Sequence, residues 1–289
     1  MKHGRTGEVT YTELFGRIEP TGRKPISGDA VILSSLEQTA ACSPPVNGLC
    51  IRYVGRGREN YRIGGRGCRL DTEQLMISPQ QQGAEFEVRR DERSGTVGLC
   101  VLIHDALDEI PWEFGPLVAS AAASSLGDTM RRSTKALWNG ARPKQELATQ
   151  LVGALRTELP LVARKILAQT ASADAAKPAT RFEMVRVAHL AQAYLHGIIS
   201  RAVDLPELAG EVGKSPFQLL RAFQHCFAET PASYHRKLRL NLALAEARRR
   251  GVSIGAVCDE FGFSGASSFS HAYRRAFGQA PVWSRRDAA

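Results

Sequence analysis

Two segments near the C-terminus, 205–223 and 254–273, carry the same order of residue types. Each begins with apolar residues at helical spacing, passes through a glycine and a serine, and ends in a second stretch at helical spacing. Each second stretch contains a hydrogen-bonding side chain, Arg221 in the first segment and His271 in the second. Arginine can donate two hydrogen bonds side by side, and histidine can donate one. Two successive helix-turn-helix units of this kind indicate binding to DNA.

The residues between the two stretches of each segment fit a turn between helices. Gly213 and Gly262 follow the first stretch, where a left-handed backbone conformation commonly ends a helix. Ser215 and Ser264 come next and can cap the second helix by accepting a backbone N–H. Pro216 suits the first helical turn, where its missing N–H donor is not needed. The sequence therefore predicts a tight turn and a capped second helix in both units.

Helical periodicity divides each second helix into an inward and an outward face. The inward residues are Leu219, Ala222 and Phe223 in the first unit and Phe269, Ala272, Tyr273 and Phe277 in the second. The outward residues are Phe217, Gln218, Leu220 and Arg221 in the first unit and Ala266, Ser267, Ser270, His271 and Arg274 in the second. A connecting helix over about 231–249 would hold the two outward faces roughly 34 Å apart, the length of one turn of DNA.

The composition is that of a folded, basic protein. The chain has 289 residues, of which 43% are apolar, and this length is enough for about two domains. Its formal net charge is +9. Residues 181–289 carry 15 Lys and Arg against 9 Asp and Glu, whereas the first 180 residues carry 23 against 20. An excess of positive charge in one part of the chain favours a polyanionic partner.

The N-terminal part of the chain contains short strand-like runs separated by glycine and proline. These runs lie within 31–33, 49–54, 60–63, 68–70, 75–78, 86–89 and 97–103. Their spacing of about 8–12 residues predicts an antiparallel sandwich or barrel. Helical patterns follow from about Pro111, with an Ala-rich helix expected over 116–126 and a later helical stretch interrupted at Pro160.

The fold class predicted is therefore α+β, in two domains. An antiparallel β-barrel with following helices is expected over 1–170, and an all-α domain over 181–289. Residues 171–180 are small, polar and proline-containing, which is typical of a linker. The helices that follow the barrel either pack on it or form a dimer interface.

Residues 181–286 resemble the DNA-binding domain of the AraC/XylS family of transcription regulators, and the resemblance covers about a third of the chain. The motifs that carry it are Leu205-x-x-Leu208-Ala209, Ser215-Pro216-x-x-Leu219-x-Arg221-x-Phe223, Phe227-x-x-Thr230-Pro231-x-x-Tyr234, Arg239-Leu240-x-x-Ala243, Ile254-x-x-Val257-Cys258-x-x-Phe261-Gly262-Phe263 and Ser267-Ser268-Phe269-Ser270-x-Ala272-Tyr273-Arg274-Arg275-x-Phe277-Gly278-x-x-Pro281. The resemblance implies two helix-turn-helix units that read two successive major-groove segments.

The same resemblance implies roles for individual residues. The base-reading positions are Phe217, Leu220 and Arg221 in the first unit and Ala266, Ser267 and His271 in the second. Candidates for phosphate contacts follow from positive charge and not from the resemblance: Lys214, Arg236, Lys237, Arg239, Arg274, Arg275, Arg285 and Arg286. Arg221 is the strongest candidate because arginine can bind guanine O6 and N7 together, with a phosphate contact or a surface ion pair as the alternative. Ala266 and Ser267 offer only methyl contacts and one hydroxyl, so we expect weaker base readout in the second unit.

The β-rich segment is similar to the cupin-like N-terminal domain of many bacterial regulators. Metal-binding cupins carry paired histidines and a glutamate, whereas no histidine lies between residues 49 and 103, so the resemblance implies a metal-free sensing domain. The candidate residues for an acidic-ligand pocket are Arg52, Tyr53, Tyr61, Arg62 and Arg69. The alternative is that these side chains point outward and are solvated, because a one-residue change of register exchanges the two faces of a strand.

These observations predict a cytoplasmic, non-enzymatic transcription regulator that associates with the bacterial nucleoid when bound to DNA. No stretch predicts a membrane span or a signal peptide. The six cysteines form no ligand pattern, so we expect buried cysteines, no metal and no cofactor. The partners implied are double-stranded promoter DNA, RNA polymerase, a small-molecule effector and a second copy of the chain. Two alternatives stay open: a metal-free or metal-dependent cupin-type enzyme with an accessory DNA-binding domain, and a non-specific DNA binder.

Overall fold

The computed structural model of the protein describes residues 9–16, 28–36, 40–42, 48–63, 66–80, 86–90, 95–104, 116–140 and 143–281. The chain forms two compact domains, an N-terminal domain over Met1–Phe182 and a C-terminal domain over Glu183–Ala289. Strands fill much of the N-terminal domain and helices fill the C-terminal domain, which confirms the predicted α+β class. Within the described residues, no helix is both long enough and apolar enough to cross a membrane.

The N-terminal domain is built on two β-sheets. Its strands are β1 (Thr10–Gly16), β2 (Ala30–Leu36), β3 (Ala40–Cys42), β4 (Gly48–Arg56), β5 (Arg58–Ile63), β6 (Arg66–Asp71), β7 (Gln74–Gln80), β8 (Phe86–Arg90), β9 (Val97–His104) and β10 (Leu117–Ser120). One sheet has the order β1-β2-β9-β4-β7-β10, and the other has the order β3-β8-β5-β6.

The sheets differ from the predicted antiparallel barrel in two ways. Among the described strands, no hydrogen-bonded pair joins the two sheets, so the barrel is not closed. In addition, β1 and β2 pair in parallel, with Thr10 opposite Ala30. Alternation of residue types encodes which face of a strand is buried, but it does not encode strand direction or the identity of the neighbouring strand.

The central strands β4 and β9 are buried along most of their length. Helix α1 (Ser125–Asn139) contacts β2, β4 and β9 on one face of the larger sheet. The smaller sheet covers the other face, where the Arg52 guanidinium lies over the Tyr61 ring. Strands covered on both faces carry continuous apolar runs, which explains the sequence of β9.

The Ala-rich helix expected over 116–126 is a wrong prediction. Leu117–Ser120 forms β10, which pairs with β7, and a 3-10 turn over 121–123 separates it from α1. Leu117 and Val118 are buried in this edge strand. Helix propensity is a weak preference, and here burial and strand pairing override it.

Helix α2 (Lys144–Ser172) continues through Pro160, where an interruption was predicted. Leu155, Leu159 and Ala163 are buried on either side of the proline, so packing of this stripe supports the helix despite the lost backbone hydrogen bond. The next helix, α3 (Pro178–Gly197), follows residues 173–177. The predicted linker thus includes the end of α2, these five residues and the start of α3.

The described residues of the C-terminal domain form the rest of α3 and four further helices around two cores. The helices are α4 (Leu205–Glu211), α5 (Pro216–Phe227), α6 (Pro231–Arg250) and α7 (Ala266–Phe277), with 3-10 turns over 254–256 and 259–261. The first core includes Leu219 and Phe223, and the second includes Phe261 and Phe269. Helix α6 packs against both cores, with Tyr234 on the first and Leu240 in the second, so it links the two units of the predicted reader.

Candidate nucleic-acid interface

Helix α5 begins at a complete local capping arrangement. The Ser215 hydroxyl accepts a hydrogen bond from the Gln218 backbone N–H, and the Gln218 side chain accepts one from the Ser215 backbone N–H, with N···O distances of 3.3 and 3.2 Å. Pro216 occupies the first turn, and Gly213 is left-handed at φ 66°. This reciprocal capping fixes the start of the helix, as the sequence predicted.

The two faces of α5 are those predicted from periodicity. Leu219, Ala222 and Phe223 are buried. Phe217 is 75% exposed, and Arg221 is exposed one turn further along the helix. Residues four apart lie on the same helix face, so the aromatic ring and the guanidinium form one surface, with the half-buried Leu220 at its edge. An apolar group beside a double donor can contact a thymine methyl group and a guanine.

The second unit reaches its turn without an α-helix. Its first segment consists of two 3-10 turns, over 254–256 and 259–261, where the sequence predicted a helix. Gly255 and the β-branched Val257 lower the helix propensity of this stretch, and Val257 and Phe261 are buried in the second core. Gly262 then adopts the predicted left-handed conformation at φ 69°.

Helix α7 also begins differently from α5. Its N-cap residue is Gly265, and no side chain caps the helix, so the predicted cap at Ser264 is wrong. Phe269 is fully buried as predicted, whereas Ala266, Ser267 and His271 are exposed. The outward face of α7 thus carries a methyl group, a hydroxyl and an imidazole, which offer fewer hydrogen bonds than the face of α5.

Helix α6 has clear ends on both sides. Thr230 accepts a hydrogen bond from the Ser233 backbone N–H at 3.2 Å, and Gly251 ends the helix at φ 64°. Its 20 residues correspond to a length of about 30 Å. This length is comparable to one turn of DNA, about 34 Å, which is the separation of successive major-groove segments on one side of the duplex.

The predicted phosphate contacts fall into different environments. Arg236, Arg274 and Arg275 are exposed. Lys214 forms an ion pair with Glu183 at 2.8 Å, and Lys237 forms one with Glu229 at 2.9 Å. Arg285 and Arg286 lie outside the described residues.

Two basic side chains, Arg186 and Lys214, stabilise the charged form of the Glu183 carboxylate. Its hydrogen bond with Arg186, followed by that with Lys214, lowers the pKa of Glu183 to about 2. Lys214 would therefore have to leave a charged partner in order to contact a phosphate.

Arg239 is not a surface residue, so the predicted phosphate contact is corrected. It is 6% exposed, and its guanidinium lies 5.1 Å from the centre of the Phe263 ring. Its Nη1 donates to the Phe261 carbonyl oxygen at 3.2 Å. The periodicity of α6 contains the missed signal, because Arg239 lies four residues before the buried Ala243, on the face that packs against the second core.

The candidate pocket residues of the N-terminal domain are only partly brought together. Arg52 and Tyr61 face each other between the two sheets, with the guanidinium carbon 4.9 Å from the ring centre. The Tyr61 hydroxyl donates to Glu59, which is also buried. Burial raises the pKa of both Glu59 and Tyr61, against the opposing effect of the Arg52 charge.

The other candidate pocket residues lie elsewhere. Tyr53 follows Arg52 on β4 and therefore points to the opposite face, where its hydroxyl donates to Glu73 at 2.7 Å. Arg69 forms an ion pair with Asp71 at 2.6 Å. The Arg62 side chain lies outside the described part of the chain.

Four of the described cysteines, Cys50, Cys68, Cys100 and Cys258, are buried, and Cys226 is half-buried. The thiols of Cys50 and Cys100 share a hydrogen bond with their sulfur atoms 3.4 Å apart, and burial raises the pKa of Cys68 to about 12. Raised thiol pKa values disfavour the reactive thiolate. In the same described residues, no group of His, Cys, Asp and Glu side chains is arranged to hold a metal ion.

The arrangement defines a class of domain. Two compact units, each presenting the outward face of one helix and both packed on a single connecting helix, form a tandem helix-turn-helix DNA-binding domain. The sequence profile of the family described as "Helix-turn-helix domain" matches residues 208–286. This segment is an AraC-type helix-turn-helix domain.

Curated relatives match the same part of the chain. The "Uncharacterized HTH-type transcriptional regulator YidL" of Escherichia coli K12 is 33% identical over 89 residues, which are 31% of this chain and 30% of that protein. The "HTH-type transcriptional regulator GbdR" of Pseudomonas aeruginosa is 36% identical over 89 residues, or 31% of this chain and 24% of that protein. The match thus spans less than a third of each relative's length, and both are transcriptional regulators by name.

Solved structures resemble the chain only distantly. ToxT from Vibrio cholerae, bound to an unsaturated fatty acid, is 11% identical with a TM-score of 0.33, and the match covers 90% of this chain and 95% of that one. The AraC-like transcriptional activator CuxR is 15% identical with a TM-score of 0.29, covering 75% of this chain and 73% of that one.

Proposed function

We propose that this chain is a sequence-specific transcription regulator that places α5 and α7 in two successive major-groove segments of promoter DNA. The observation that carries the proposal is the pair of solvent-facing helix surfaces on one domain, joined by a connecting helix about 30 Å long. Exposed arginines on α6 and α7 supply positive charge beside these surfaces. The regulatory names of the relatives that match this domain support the same function.

Most of the base readout is assigned to the first unit. Arg221 is exposed on the outward face of α5 and can donate to guanine O6 and N7 together, which provides about 1–3 kcal/mol of discrimination against other bases. Phe217 and Leu220 supply apolar surface for a thymine methyl group. The capping at Ser215 keeps the helix start rigid, and a rigid scaffold favours precise hydrogen bonds.

The second unit is assigned mainly to positioning. Ala266 and Ser267 carry small side chains, and His271 donates a single hydrogen bond to a base or a phosphate. Arg274 and Arg275 are exposed at the other end of the same helix, where they can contact phosphates. Phosphate contacts set register and orientation without reading sequence.

The N-terminal domain is assigned to regulation. The buried Arg52 beside Tyr61 supports an acidic small molecule as the effector, bound between the two sheets. Leu161 and Leu167 on α2 are 54% and 52% exposed, and exposed apolar side chains on a long helix support self-association into a homodimer. RNA polymerase is the expected partner of a regulator bound at a promoter.

Selection of bound duplexes from a random DNA pool, with and without candidate acidic metabolites, tests the proposal. We expect an enriched site with two short conserved blocks about 10 base pairs apart, the stronger block under α5. Enrichment of no sequence, with binding that falls steeply with salt for every duplex, would indicate the non-specific binder instead. Stoichiometric iron or zinc in the purified protein would favour the cupin-type enzyme.

A further inference from the structure

The contact between α6 and the second unit contains two buried polar residues that no surface role explains. His235 and Arg239 lie one turn apart on α6 and are 2% and 6% exposed. The His235 Nε2 lies 2.5 Å from the Ile198 carbonyl oxygen, in the segment that leads into the first unit. Arg239 donates to the Phe261 carbonyl oxygen, immediately before the turn of the second unit. One face of α6 therefore binds the approach to the first unit and the turn of the second.

Gly262 brings these segments into direct contact. A Cβ atom at this position would lie 2.6 Å from the Ser200 carbonyl oxygen, 2.9 Å from the Arg239 Nη1 and 3.0 Å from the Arg201 Cα. The turn of the second unit is thus packed against the 198–201 segment and α6 at once, with no room for a side chain. We call the contact among residues 198–201, His235, Arg239 and 261–263 the junction.

The Arg239 guanidinium at the junction is buried at a cost in desolvation free energy. Burial, with the nearby Arg236 as a smaller cause, lowers the pKa of Arg239, and among the described residues its Nε has no hydrogen-bond partner. Carbonyl and ring contacts replace only part of the hydration of a guanidinium, so an apolar residue of similar length could fill this space at lower desolvation cost. An apolar residue would not fix the angle between the turn and α6. The hydrogen bond to the Phe261 carbonyl and the cation–π contact with the Phe263 ring both depend on that angle.

We propose that Arg239 is a positioning residue for DNA binding, which fixes the second unit on α6 and so sets the spacing between the two DNA segments that the protein recognises. The inference rests on the proposed two-segment readout. Arg239 acts from inside the domain and touches no DNA. Residues 261–263 lead into α7 within three residues, so a rotation of the turn is passed directly to the outward face that carries Ser267 and His271.

The test is binding of the full-length protein to three duplexes: the selected site, and the same site with one base pair inserted or deleted between its two blocks. One base pair rotates one block by about 35° and shifts it by about 3.4 Å, so the wild-type protein should prefer the native spacing at least about tenfold. Arg239→Met should reduce that preference to about twofold or less, because the second unit can then adjust to either altered site. Arg239→Lys should be intermediate, since it keeps the charge and can still donate a hydrogen bond but loses the planar guanidinium.

Arg236→Met is the matched control, because it removes an exposed arginine three residues away on the same helix. It should weaken binding to all three duplexes by a similar factor and leave the spacing preference intact. Equal weakening on all three by Arg239→Met, or an unchanged preference, would overturn the inference. If Arg239→Met does not fold, Arg239→Lys alone decides: a wild-type spacing preference in that folded variant also overturns it. A wild-type protein without spacing preference would overturn the proposed two-segment readout, and the inference with it.

Discussion

The two helix-turn-helix units share a topology but are stabilised in different ways. The first has an α-helix before its turn, a complete capping box at Ser215 and a glycine with open space around it. The second has 3-10 turns, an uncapped recognition helix and a glycine in contact with three other residues. The first unit is thus determined largely by local sequence, whereas the second depends on packing against the rest of the domain.

The two turn glycines give the largest expected contrast. Gly213 and Gly262 have nearly the same left-handed φ, 66° and 69°, but only Gly262 is packed against other atoms. Gly213→Ala should cost about 1–2 kcal/mol of unfolding free energy, from backbone conformation alone. Gly262→Ala should cost at least about 3 kcal/mol, because the Ser200 carbonyl must also move. Urea unfolding of both variants measures the difference, and equal losses would show that the junction tolerates a side chain.

Base readout should separate the units next. Arg221→Ala should weaken binding to the selected site by about 1–3 kcal/mol and relax the preference at one guanine. His271→Ala should lose less than about 1 kcal/mol and change no base preference, because its single hydrogen bond is replaceable by water. Binding titrations on the selected site and on single-base variants distinguish these results. Arg164→Ala, an exposed arginine in the first domain, controls for loss of positive charge. A larger loss of specificity at His271 would reverse the assignment of the two readers.

Acid should destabilise the junction, because His235 is buried there. Burial lowers the pKa of His235 from 6.5 to about 4, against the opposing effect of its bond to the Ile198 carbonyl, with Arg239, Arg201 and Glu207 as the charged groups nearby. The folded protein therefore holds His235 neutral, and its contribution is complete above pH 6.5 and is lost as pH falls towards 4. The unfolded state binds the extra proton in this window, which lowers the free energy of unfolding by up to about 3 kcal/mol between pH 6.5 and 4.

His235→Gln keeps a donor for the Ile198 carbonyl and removes the titration. Its unfolding free energy, measured from pH 7 to 4, should fall less steeply than that of the wild type. Identical pH dependence in the variant and the wild type would mean that His235 titrates normally in the folded state.

The smallest contrast concerns the helix starts. Ser215→Ala should cost about 1 kcal/mol of unfolding free energy, because it removes one side of the capping box at α5. Ser264→Ala should be neutral within about 0.5 kcal/mol, since Ser264 does not cap α7. Thermal unfolding of the pair tests this. A comparable loss at Ser264 would mean that its hydroxyl stabilises the turn in another way.

The sequence predicted those features that depend on neighbours along the chain. The left-handed glycines, the cap at Ser215, the buried face of α5 and the span of the connecting helix all follow from local chemistry and periodicity. Predictions failed where distant packing decides. The strand at 117–120 forms because β7 offers an edge, α2 continues through Pro160 because its stripe is buried on both sides, and Arg239 is buried because the second unit covers it. Strand direction in β1 and β2 was likewise not encoded in alternation.

For the proposed DNA complex, the continuous α6 has a consequence for affinity. Once α5 is bound, a stiff connection holds α7 near the next groove segment, so its binding becomes an intramolecular event at high effective concentration. A reader with small side chains can then contribute although it would bind too weakly alone. The same stiffness makes that gain all-or-none, because a connection that cannot adapt to a different groove phase provides almost no effective concentration there. Avidity, set by the length and rigidity of one helix, would thus let a weak second reader sharpen the choice of site.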